Sequence, residues 1–280
     1  MSAYTRFCSS VLFPLHEAMK GHHSVSLRRD LERSQWFPSG QLDAMRAERL
    51  KEFLGYIGEK VPYYRQVFSE AGLDPRGIRT VADLPSLPTL TKAIIRENFR
   101  ALKTEDSTPV RKYSTGGSSG EPLQFLIGRG RVDHDVAAKW RATRWWNVDI
   151  GDPEVVLWGS PIELGTQDRL RSLRDKALRT RLLPAFRMTD ESMDSHLEAI
   201  GRVRPAMIFG YPSALALLCN HARSRSVELR KLGARVVFVT GETLYPSQRD
   251  AISSAFGAPV ANGYGSRDAC LLYTSPSPRD

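Results

Sequence analysis

The segment KYSTGGSSGEPLQFLI, residues 112–127, is the part of the sequence best suited to holding a charged ligand. It places glycines and small hydroxyl residues between two apolar runs: Ser114, Thr115, Gly116, Gly117, Ser118, Ser119 and Gly120. Glycine reaches positive φ and leaves no side chain in the way, so backbone N–H groups can converge on an anion while hydroxyls add donors. Composition and flanks predict a phosphate-binding loop, and the flexible tip of a hairpin is the alternative.

Two common phosphate-binding motifs do not fit this segment. A Walker loop ends in Gly-Lys-Ser or Gly-Lys-Thr, whereas Gly120 is followed by Glu121 and Pro122. A dinucleotide fingerprint lies between a strand and a helix, whereas both flanks here have the pattern of strands. Assigning the loop therefore depends on other segments of the chain.

From about residue 106, short apolar runs alternate with helical patterns. We predict buried strands, each ending in a loop that contains glycine, at 155–160, 206–211, 235–241 and 258–265. Helical patterns occupy 135–148, 192–203, 212–223 and 245–256. This alternation predicts an α/β layered fold with a largely parallel sheet. Ligands bind such sheets beyond the carboxyl ends of the strands, so the loops FGYPS, VTGETL and NGYGSRD are candidate binding loops.

The two ends of the chain do not show this alternation of strand and helix patterns. Residues 1–105 are predicted to be mostly helical, with the clearest helical periodicity over 42–61. Thr91 stands where it can cap a helix that runs through 93–99. The last residues, CLLYTSPSPRD (270–280), are predicted to have neither strand nor helix character.

Four segments together resemble the adenylate-forming enzymes: LPTLTKAIIRENF (87–99), the glycine-rich loop, VFVTGETLYPSQRDAI (237–252) and NGYGSRDA (262–269). They are most similar to the phenylacetate–CoA ligase family, including the branch named for capsular polysaccharide biosynthesis. The resemblance runs from about residue 61 to Ala269. It implies the large N-terminal domain of the acyl-CoA synthetase-like fold. The expected division is a helical region 1–105, an α/β AMP-binding portion 106–269 and a tail 270–280.

The resemblance also implies a reaction. The family makes an acyl-adenylate from a carboxylic acid and ATP, releases pyrophosphate, and usually passes the acyl group to a thiol such as coenzyme A. Residues Ser114 to Gly120 match the loop that holds the β- and γ-phosphates, and Thr115 is expected to be catalytic. Gly241 and Glu242 match the segment beside the adenine.

Three further expectations come from the segment NGYGSRDA. Tyr264 matches the aromatic residue that stacks on adenine, and Gly265 with Ser266 matches the turn after it. Asp268 matches an acidic residue associated with Mg²⁺ and the phosphates, so it is expected to be both a metal ligand and catalytic. The implied cofactors are ATP, Mg²⁺ and coenzyme A as the acceptor.

The chemistry agrees with these roles, although each residue has a structural alternative. A carboxylate and a triphosphate repel each other, so their reaction needs a divalent cation, an acidic ligand for it and donors for the departing pyrophosphate. Asp268 suits the cation, or it pairs with Arg267 at the surface. Glu242 has an alternative as a carboxylate at the start of the helix that follows it. Tyr264 has an alternative as a core aromatic.

The family pattern is only partly present. The lysine usual near the end of the phosphate loop is absent, as it also is in this branch. The ribose-contacting Asp, the hinge and the small C-terminal domain with its catalytic Lys cannot be placed. We expect residues 270–280 to be non-native translated adapter sequence, and the chain to be an N-terminal fragment that is inactive alone.

Composition supplies general limits. The 280 residues with 41% hydrophobic content fit one large domain or two small ones. The net charge of +9 comes from dispersed basic residues. Binding of nucleic acid or another acidic surface is therefore one alternative function, and nucleotide binding without ligase activity is the other.

Cys8, Cys219 and Cys270 are far apart, which fits a reducing cytosol. With no apolar run of 18 residues, we expect a cytoplasmic protein that acts on a small carboxylic acid without a membrane span or a specific nucleic acid.

Several other residues are weaker candidates. Trp140, Trp145 and Trp146 fall on a helical pattern and are predicted to lie in the core. His22 and His23 are adjacent, so they face apart on a helix or strand, and both are predicted to be solvated.

Two segments remain open in their interpretation. The arginine-rich run 169–187 is predicted to be a solvated helix face, with contact to a membrane or to the phosphates of a thiol cofactor as alternatives. Gly210, Tyr211 and Pro212 stand where they could border the acid pocket. Their motif GYPSA lacks the second glycine of a hydrolase nucleophile elbow.

Overall fold

The computed structural model of the chain describes residues 1–78, 80–106, 109–115, 122–159, 169–266 and 270–275, and for 169–171, 266 and 270–275 it describes the backbone only. The contacts divide the chain into two compact units. The first, here the sheet unit, comprises Met1–Arg28 and Asp133–Asp280, and the second, the helical unit, comprises Arg29–Val132. The boundary expected near residue 105 follows a change in composition, whereas the contacts divide the chain at residues 28 and 132.

The strands, in chain order, are β1 Val110–Ser114, β2 Gln124–Gly128, β3 Glu154–Leu157, β4 Thr180–Leu183, β5 Met207–Gly210, β6 Val236–Thr240, β7 Val260–Ser266 and β8 Cys270–Ser275. The α-helices are α1 Ala3–Phe7, α2 Phe13–Met19, α3 Ser24–Ser34, α4 Ser39–Lys60, α5 Pro62–Glu70, α6 Lys92–Glu97, α7 Arg129–Arg144, α8 Arg169–Ala177, α9 Asp190–Val203, α10 Pro212–Ser224 and α11 Pro246–Phe256. A π-helical turn, Cys8–Leu12, joins α1 to α2.

The sheet unit is built on a six-stranded sheet in the order β4-β3-β5-β6-β7-β8. Neighbours from β4 to β7 pair in parallel, and β8 pairs antiparallel with β7. Strand β6 is buried along its whole length, because apolar side chains cover both faces of the sheet. On one face the sheet packs against α9, α10 and α11, and on the other against α7. The predicted α/β fold with a largely parallel sheet is confirmed.

The helices of the sheet unit begin and end where their sequences indicate. The hydroxyl of Thr189 accepts a hydrogen bond from the Ser192 N–H and so caps α9. Helices α10 and α11 each begin with a proline, whose missing N–H costs nothing at that position. Gly257, at φ +62°, ends α11 in the left-handed conformation. The four predicted helices of this region are confirmed.

The N-terminal helices α1 and α2 pack within the sheet unit. Cys8 and Phe13 are buried together with Ile150, and Trp140 packs against this cluster. The Thr5 hydroxyl donates a buried hydrogen bond of 2.8 Å to Asp152. The predicted core position of the tryptophans is confirmed, since Trp145 and Trp146 pack against the cluster between α7 and the sheet.

The helical unit has its own core. Leu54, Ile57, Val61, Phe68 and Ile78 are buried where α4 and α5 meet the turn that follows them. The expected cap of α6 is present, because the Thr91 hydroxyl accepts from the Ile94 N–H at 3.3 Å. Strands β1 and β2 form an antiparallel hairpin, so the strand–loop–strand arrangement around the glycine-rich loop is confirmed.

Three predictions about local structure are wrong. The arginine-rich run is a helix only up to Ala177, and residues 180–183 form the edge strand β4. The tail has strand character in β8, because CLLYTS is rich in strand-forming residues and the edge of β7 offers unpaired backbone groups. His22 is not solvated, since its Nδ1 lies 2.9 Å from the buried carboxylate of Asp133. His23 is exposed, as predicted. Among the residues that the structure describes, no helix has both the length and the apolar character needed to cross a bilayer.

Candidate active site

The carboxyl edge of the parallel sheet brings four candidate segments together. Register aligns the ends of the strands, with Leu157 opposite Gly210, Gly210 opposite Val239 and Thr240 opposite Gly263. The residues that follow these positions therefore lie along one edge of the sheet: Trp158, Tyr211, Gly241 and Tyr264. Ligands of α/β sheets bind at this edge. Gly241, Glu242, Tyr264 and Gly265, all predicted as site residues, belong to it.

Two aromatic rings stack at the ends of β3 and β5. The ring centroids of Trp158 and Tyr211 are 4.1 Å apart, with 16° between the ring planes. Phe209 extends this group, because its ring centroid lies 5.6 Å from that of Trp158. The three rings form a half-buried aromatic wall, Trp158–Phe209–Tyr211, beside the loop that begins at Gly241.

Only glycine fits at position 241, because of the backbone conformation there and the side chains beside it. Its φ of +84° is in the left-handed region that favours glycine. A Cβ placed there would lie 3.0 Å from Cε1 of Tyr211 and 3.3 Å from Cη2 of Trp158. The chain can therefore turn closely past the aromatic wall only because this residue has no side chain.

Glu242 links two loops of the edge. Its Oε2 accepts a hydrogen bond of 3.2 Å from the backbone N–H of Ser213, in the first turn of α10. A carboxylate at this position accepts from an N–H that has no partner within the helix, and the positive end of the helix dipole stabilises its charge. The alternative for Glu242 is thus realised at a different helix from the one predicted. The start of α11 is served instead by Gln248, whose side-chain oxygen accepts from the Tyr245 N–H at 3.0 Å.

Tyr264 presents its ring to solvent. Its exposed fraction is 69%, which excludes the alternative that it is a core aromatic. It stands near the end of β7, opposite Tyr273 of β8, and a register irregularity separates it from Gly265. An exposed aromatic face beyond a parallel strand is suited to stacking on a planar ligand.

The described part of the glycine-rich loop lies in the helical unit. Ser114 is the last residue of β1 and pairs with Gln124. The N–H of Thr115 donates to the Leu123 carbonyl at 3.0 Å, and the Thr115 hydroxyl accepts from the Leu123 N–H at 2.9 Å. These two bonds close the base of the loop, so the contact seen for Thr115 is one that holds the loop together.

Several predicted site residues lie outside the described residues: Gly116, Gly117, Ser118, Ser119, Gly120 and Asp268. The same is true of the side chain of Ser266. Within the part of the chain that the structure describes, no group of three or more His, Cys, Asp or Glu side chains could hold a metal ion.

Trp158 is the functional candidate that the sequence reasoning missed. It belongs to the predicted strand segment 155–160, and the rule that picked out the loops after the other strands also applies to it. The signal was present in VVLWGS, where a large aromatic residue directly follows a buried strand and precedes Gly159.

Comparison with known proteins found relatives over most of the chain. No family model matches it. Phenylacetate-coenzyme A ligase of Thermus thermophilus is 36% identical over 233 residues, which are 81% of this chain and 51% of that protein. Protein CapK of Staphylococcus aureus is 25% identical over 228 residues, 81% of this chain and 50% of that protein. The chain spans about half the length of these curated relatives.

Solved structures share the fold. The crystal structure of 2-hydroxyisobutyryl-CoA ligase in its postadenylation state aligns with a TM-score of 0.64 and 23% identity, over 83% of this chain and 50% of that chain. At this identity the likeness concerns the fold alone. The same enzyme in an open conformation aligns with a TM-score of 0.63 over 82% of this chain. The sequence relatives confirm the predicted resemblance to the phenylacetate–CoA ligase-like family of adenylate-forming enzymes, and the solved structures share the fold.

Proposed function

We propose that this chain is the nucleotide-binding portion of an enzyme that activates a small carboxylic acid with ATP and transfers the acyl group to a thiol such as coenzyme A. The observation that carries the proposal is the carboxyl edge of the sheet, where Gly241 and Glu242 follow β6 and the exposed ring of Tyr264 lies near the end of the adjacent parallel strand β7. These residues match the adenine-side segments of the family. The curated relatives whose names state an activity are phenylacetate–CoA ligases.

The described residues fit the adenine end of a nucleotide. The Tyr264 ring offers a π-face of the kind on which nucleobases stack. Because Gly241 has no side chain, the backbone passes closely beside the aromatic wall, and its peptide groups stay at the carboxyl edge of the sheet. Glu242 holds the loop after β6 to the start of α10 and so fixes its position. Gly265 and Ser266, which match the turn after this tyrosine in the family, are the last two residues of β7 in this chain.

The phosphates are assigned to the glycine-rich loop. Ser114 to Gly120 would supply backbone and hydroxyl donors to the β- and γ-phosphates, and Thr115 closes the base of this loop through its two bonds to Leu123. Magnesium ion, when bound, would offset the repulsion between the triphosphate and the acid, and Asp268 is the proposed ligand. The assignment of Asp268 rests on the resemblance.

The proposed reaction has two steps. A carboxylate oxygen of the acid attacks the α-phosphorus of ATP, the bond to the β-phosphate oxygen breaks, and pyrophosphate leaves with the negative charge. A thiolate then attacks the acyl carbon, and AMP leaves. The chain's own contribution to the first step is orientation and the donors that stabilise the departing pyrophosphate.

The aromatic wall is the proposed boundary of the acid site. Tyr211 and Trp158 stand at the carboxyl edge beside Gly241, where an acid that reacts with a nucleotide on Tyr264 would have to lie. The proposal includes a cytoplasmic location, which the sparse and widely separated cysteines support. It involves no specific nucleic acid.

The test begins with the source DNA, read through and beyond codon 270. Where the frame continues past Asp268 into a further segment with a hinge and a lysine, the whole product is expressed. That protein is expected to exchange labelled pyrophosphate into ATP only when Mg²⁺ and a suitable carboxylic acid are both present. Absence of exchange across a broad panel of acids overturns the ligase proposal. Binding of Mg·ATP without exchange would support the alternative of a nucleotide-binding protein.

A further inference from the structure

The N-terminal helix turns a row of large apolar side chains outward. It comprises α1, the π-helical turn and α2, and five large apolar residues on it have exposed fractions from 38% to 81%: Tyr4, Phe7, Val11, Leu15 and Met19. We name these residues the outward stripe. They recur every three or four positions, which places them on one face of a helix. At its start the stripe is continuous, because the rings of Tyr4 and Phe7 are 6.4 Å apart.

The buried face of the same helix carries polar anchors. Thr5 donates to Asp152, and the Glu17 carboxylate accepts a hydrogen bond from the Ser24 hydroxyl. His22 lies beside Glu17 at 3.6 Å. This face is also apolar, since Cys8 and Phe13 lie in the cluster with Ile150. A helix at the surface of a monomer normally has a single apolar face, turned inward. The outward stripe is a second apolar face that the described contacts leave exposed, so it is suited to an apolar partner.

The surroundings of the stripe are positively charged. Glu17 is the only acidic residue in 1–29, and it is buried. Arg6 and Lys20 are exposed on the same helix and at its end. Together with Lys176 and Arg179 of the neighbouring segment, which are also exposed, they are named here the positive rim.

The segment that contributes Lys176 and Arg179 is in direct contact with the stripe. The Tyr4 hydroxyl donates to the Ala177 carbonyl at 2.7 Å. The Arg179 guanidinium lies 4.2 Å from the centroid of the Tyr4 ring. The end of α8 is therefore packed beside the beginning of the outward stripe, and the Arg179 guanidinium lies against the apolar ring of Tyr4.

We propose that the outward stripe and the positive rim form a docking surface for an anionic lipid bilayer. An exposed apolar face flanked by basic residues is the arrangement by which helices lie in the plane of a membrane interface, with apolar side chains among the acyl chains and cations near the phosphates. The helix of 17 residues would extend along the surface for about 25 Å. The charges favour lipid over a second copy of the chain, because a symmetric pairing would bring two positive rims together.

The test is co-sedimentation of the purified chain with vesicles of phosphatidylcholine, with and without phosphatidylglycerol. Wild-type protein is expected to partition onto the phosphatidylglycerol vesicles and to be released as salt is raised. The double variant F7S/L15S is expected to lose binding by roughly tenfold or more, since each side chain leaves the apolar phase. The matched control is L217S, a change at a residue 45% exposed on α10, which should bind like the wild type.

A second variant tests the charges without altering the stripe. K20E/K176E is expected to weaken binding to phosphatidylglycerol vesicles several-fold, and circular dichroism checks that every variant is folded. The proposal is overturned if wild-type protein stays in solution with both vesicle types, or if F7S/L15S binds as well as L217S. It is also overturned if light scattering shows a dimer that F7S/L15S dissociates while no vesicles are bound, because the stripe is then the contact between two copies.

Discussion

The rings of Trp158 and Tyr211 stack at 4.1 Å, and both close against the position where a side chain on Gly241 would begin. The three residues come from the ends of three adjacent parallel strands, β3, β5 and β6. This contact fixes the course of the loop that leads to Glu242. It also means that the aromatic wall and the proposed adenine-side loop depend on one another for their geometry.

Replacing Gly241 by alanine should destabilise the fold. The change forces a residue with a Cβ into a positive φ and against two aromatic rings, at a cost of about 1–3 kcal/mol. Urea unfolding measures the stability, and near-ultraviolet circular dichroism reports on the stacked pair. Gly201→Ala is the matched control, because this helical glycine has open space around it and alanine is favoured there by about 0.5–1 kcal/mol. Equal stabilities for the two variants would contradict this account of Gly241.

Thr115 should act through the base of the glycine-rich loop. Thr115→Val removes the acceptor for the Leu123 N–H, whereas Thr115→Ser retains it. A lost hydrogen bond of this kind corresponds to about three- to tenfold in affinity. Calorimetric titration with Mg·ATP should therefore show weaker binding for the valine variant and near-normal binding for the serine variant. Identical affinities for all three proteins would exclude this role.

Cys219 should be unreactive in the folded chain. Burial raises the pKa of its thiol to about 12, so the thiol stays protonated at neutral pH. Its labelling by iodoacetamide, followed by mass spectrometry of the peptide, should proceed only as fast as the protein opens. Fast labelling of Cys219 at neutral pH without loss of structure would contradict the burial of this thiol.

The same thiol gives stability a pH dependence on the alkaline side. Between the ordinary thiol pKa near 9 and about 12, the unfolded chain releases the proton while the folded chain keeps it, so stability falls as the pH rises. Cys219→Ala should remove this part of the decline. The comparison is made by urea unfolding of both proteins from pH 8 upward, and curves that stay parallel would refute the link.

Asp194 should also make stability depend on pH, but in acid and in the opposite direction, so that stability falls as the pH is lowered. Its hydrogen bond with His221, and then the Arg225 guanidinium, hold the pKa of this carboxyl below its usual range. The stability it supplies is present above the ordinary aspartate pKa near 4 and is lost as the pH falls through the lowered pKa. Asp194→Asn should therefore be less stable than wild type at pH 7, with a difference that shrinks as the pH falls below the ordinary aspartate pKa. Asp190→Asn, at a more exposed neighbour, is the control and should show a smaller difference.

The sequence was most informative where burial alone determines structure. The central strands β5 and β6 are covered on both faces, so they form apolar runs that a local pattern reveals. The edge strand β4 was missed because the arginines of its segment continue the helical pattern of α8. Strand β8 was missed because its strand-forming residues stand in a short segment followed by prolines and serines, and because its pairing depends on the free edge of β7. His22 was misjudged because its partner Asp133 is distant in sequence.

For the site, the position of the residues was predictable. The rule that ligands bind beyond parallel strands, together with the resemblance, selected Gly241, Glu242 and Tyr264, and the structure places them at the carboxyl edge of the sheet, while their roles stay predictions. The contact between Glu242 and Ser213 was not predictable, because the register of β5 against β6 brings the two loops together. The hydrogen bonds that close the loop at Thr115 likewise depend on the pairing of β1 with β2.

The most direct test of the central claim is calorimetric titration of the chain with Mg·ATP, comparing wild type, Tyr264→Ala and Tyr264→Phe. Trp36→Ala, at a residue 60% exposed in the helical unit, is the control for loss of an exposed aromatic ring. Stacking of a base on an aromatic ring is worth about 1–3 kcal/mol, so the account predicts at least about a fivefold loss of affinity in Tyr264→Ala and normal affinity in Tyr264→Phe and Trp36→Ala. Wild-type protein that does not bind Mg·ATP, or a Tyr264→Ala variant that binds it as well as wild type, would contradict the claim that this edge of the sheet is a nucleotide site.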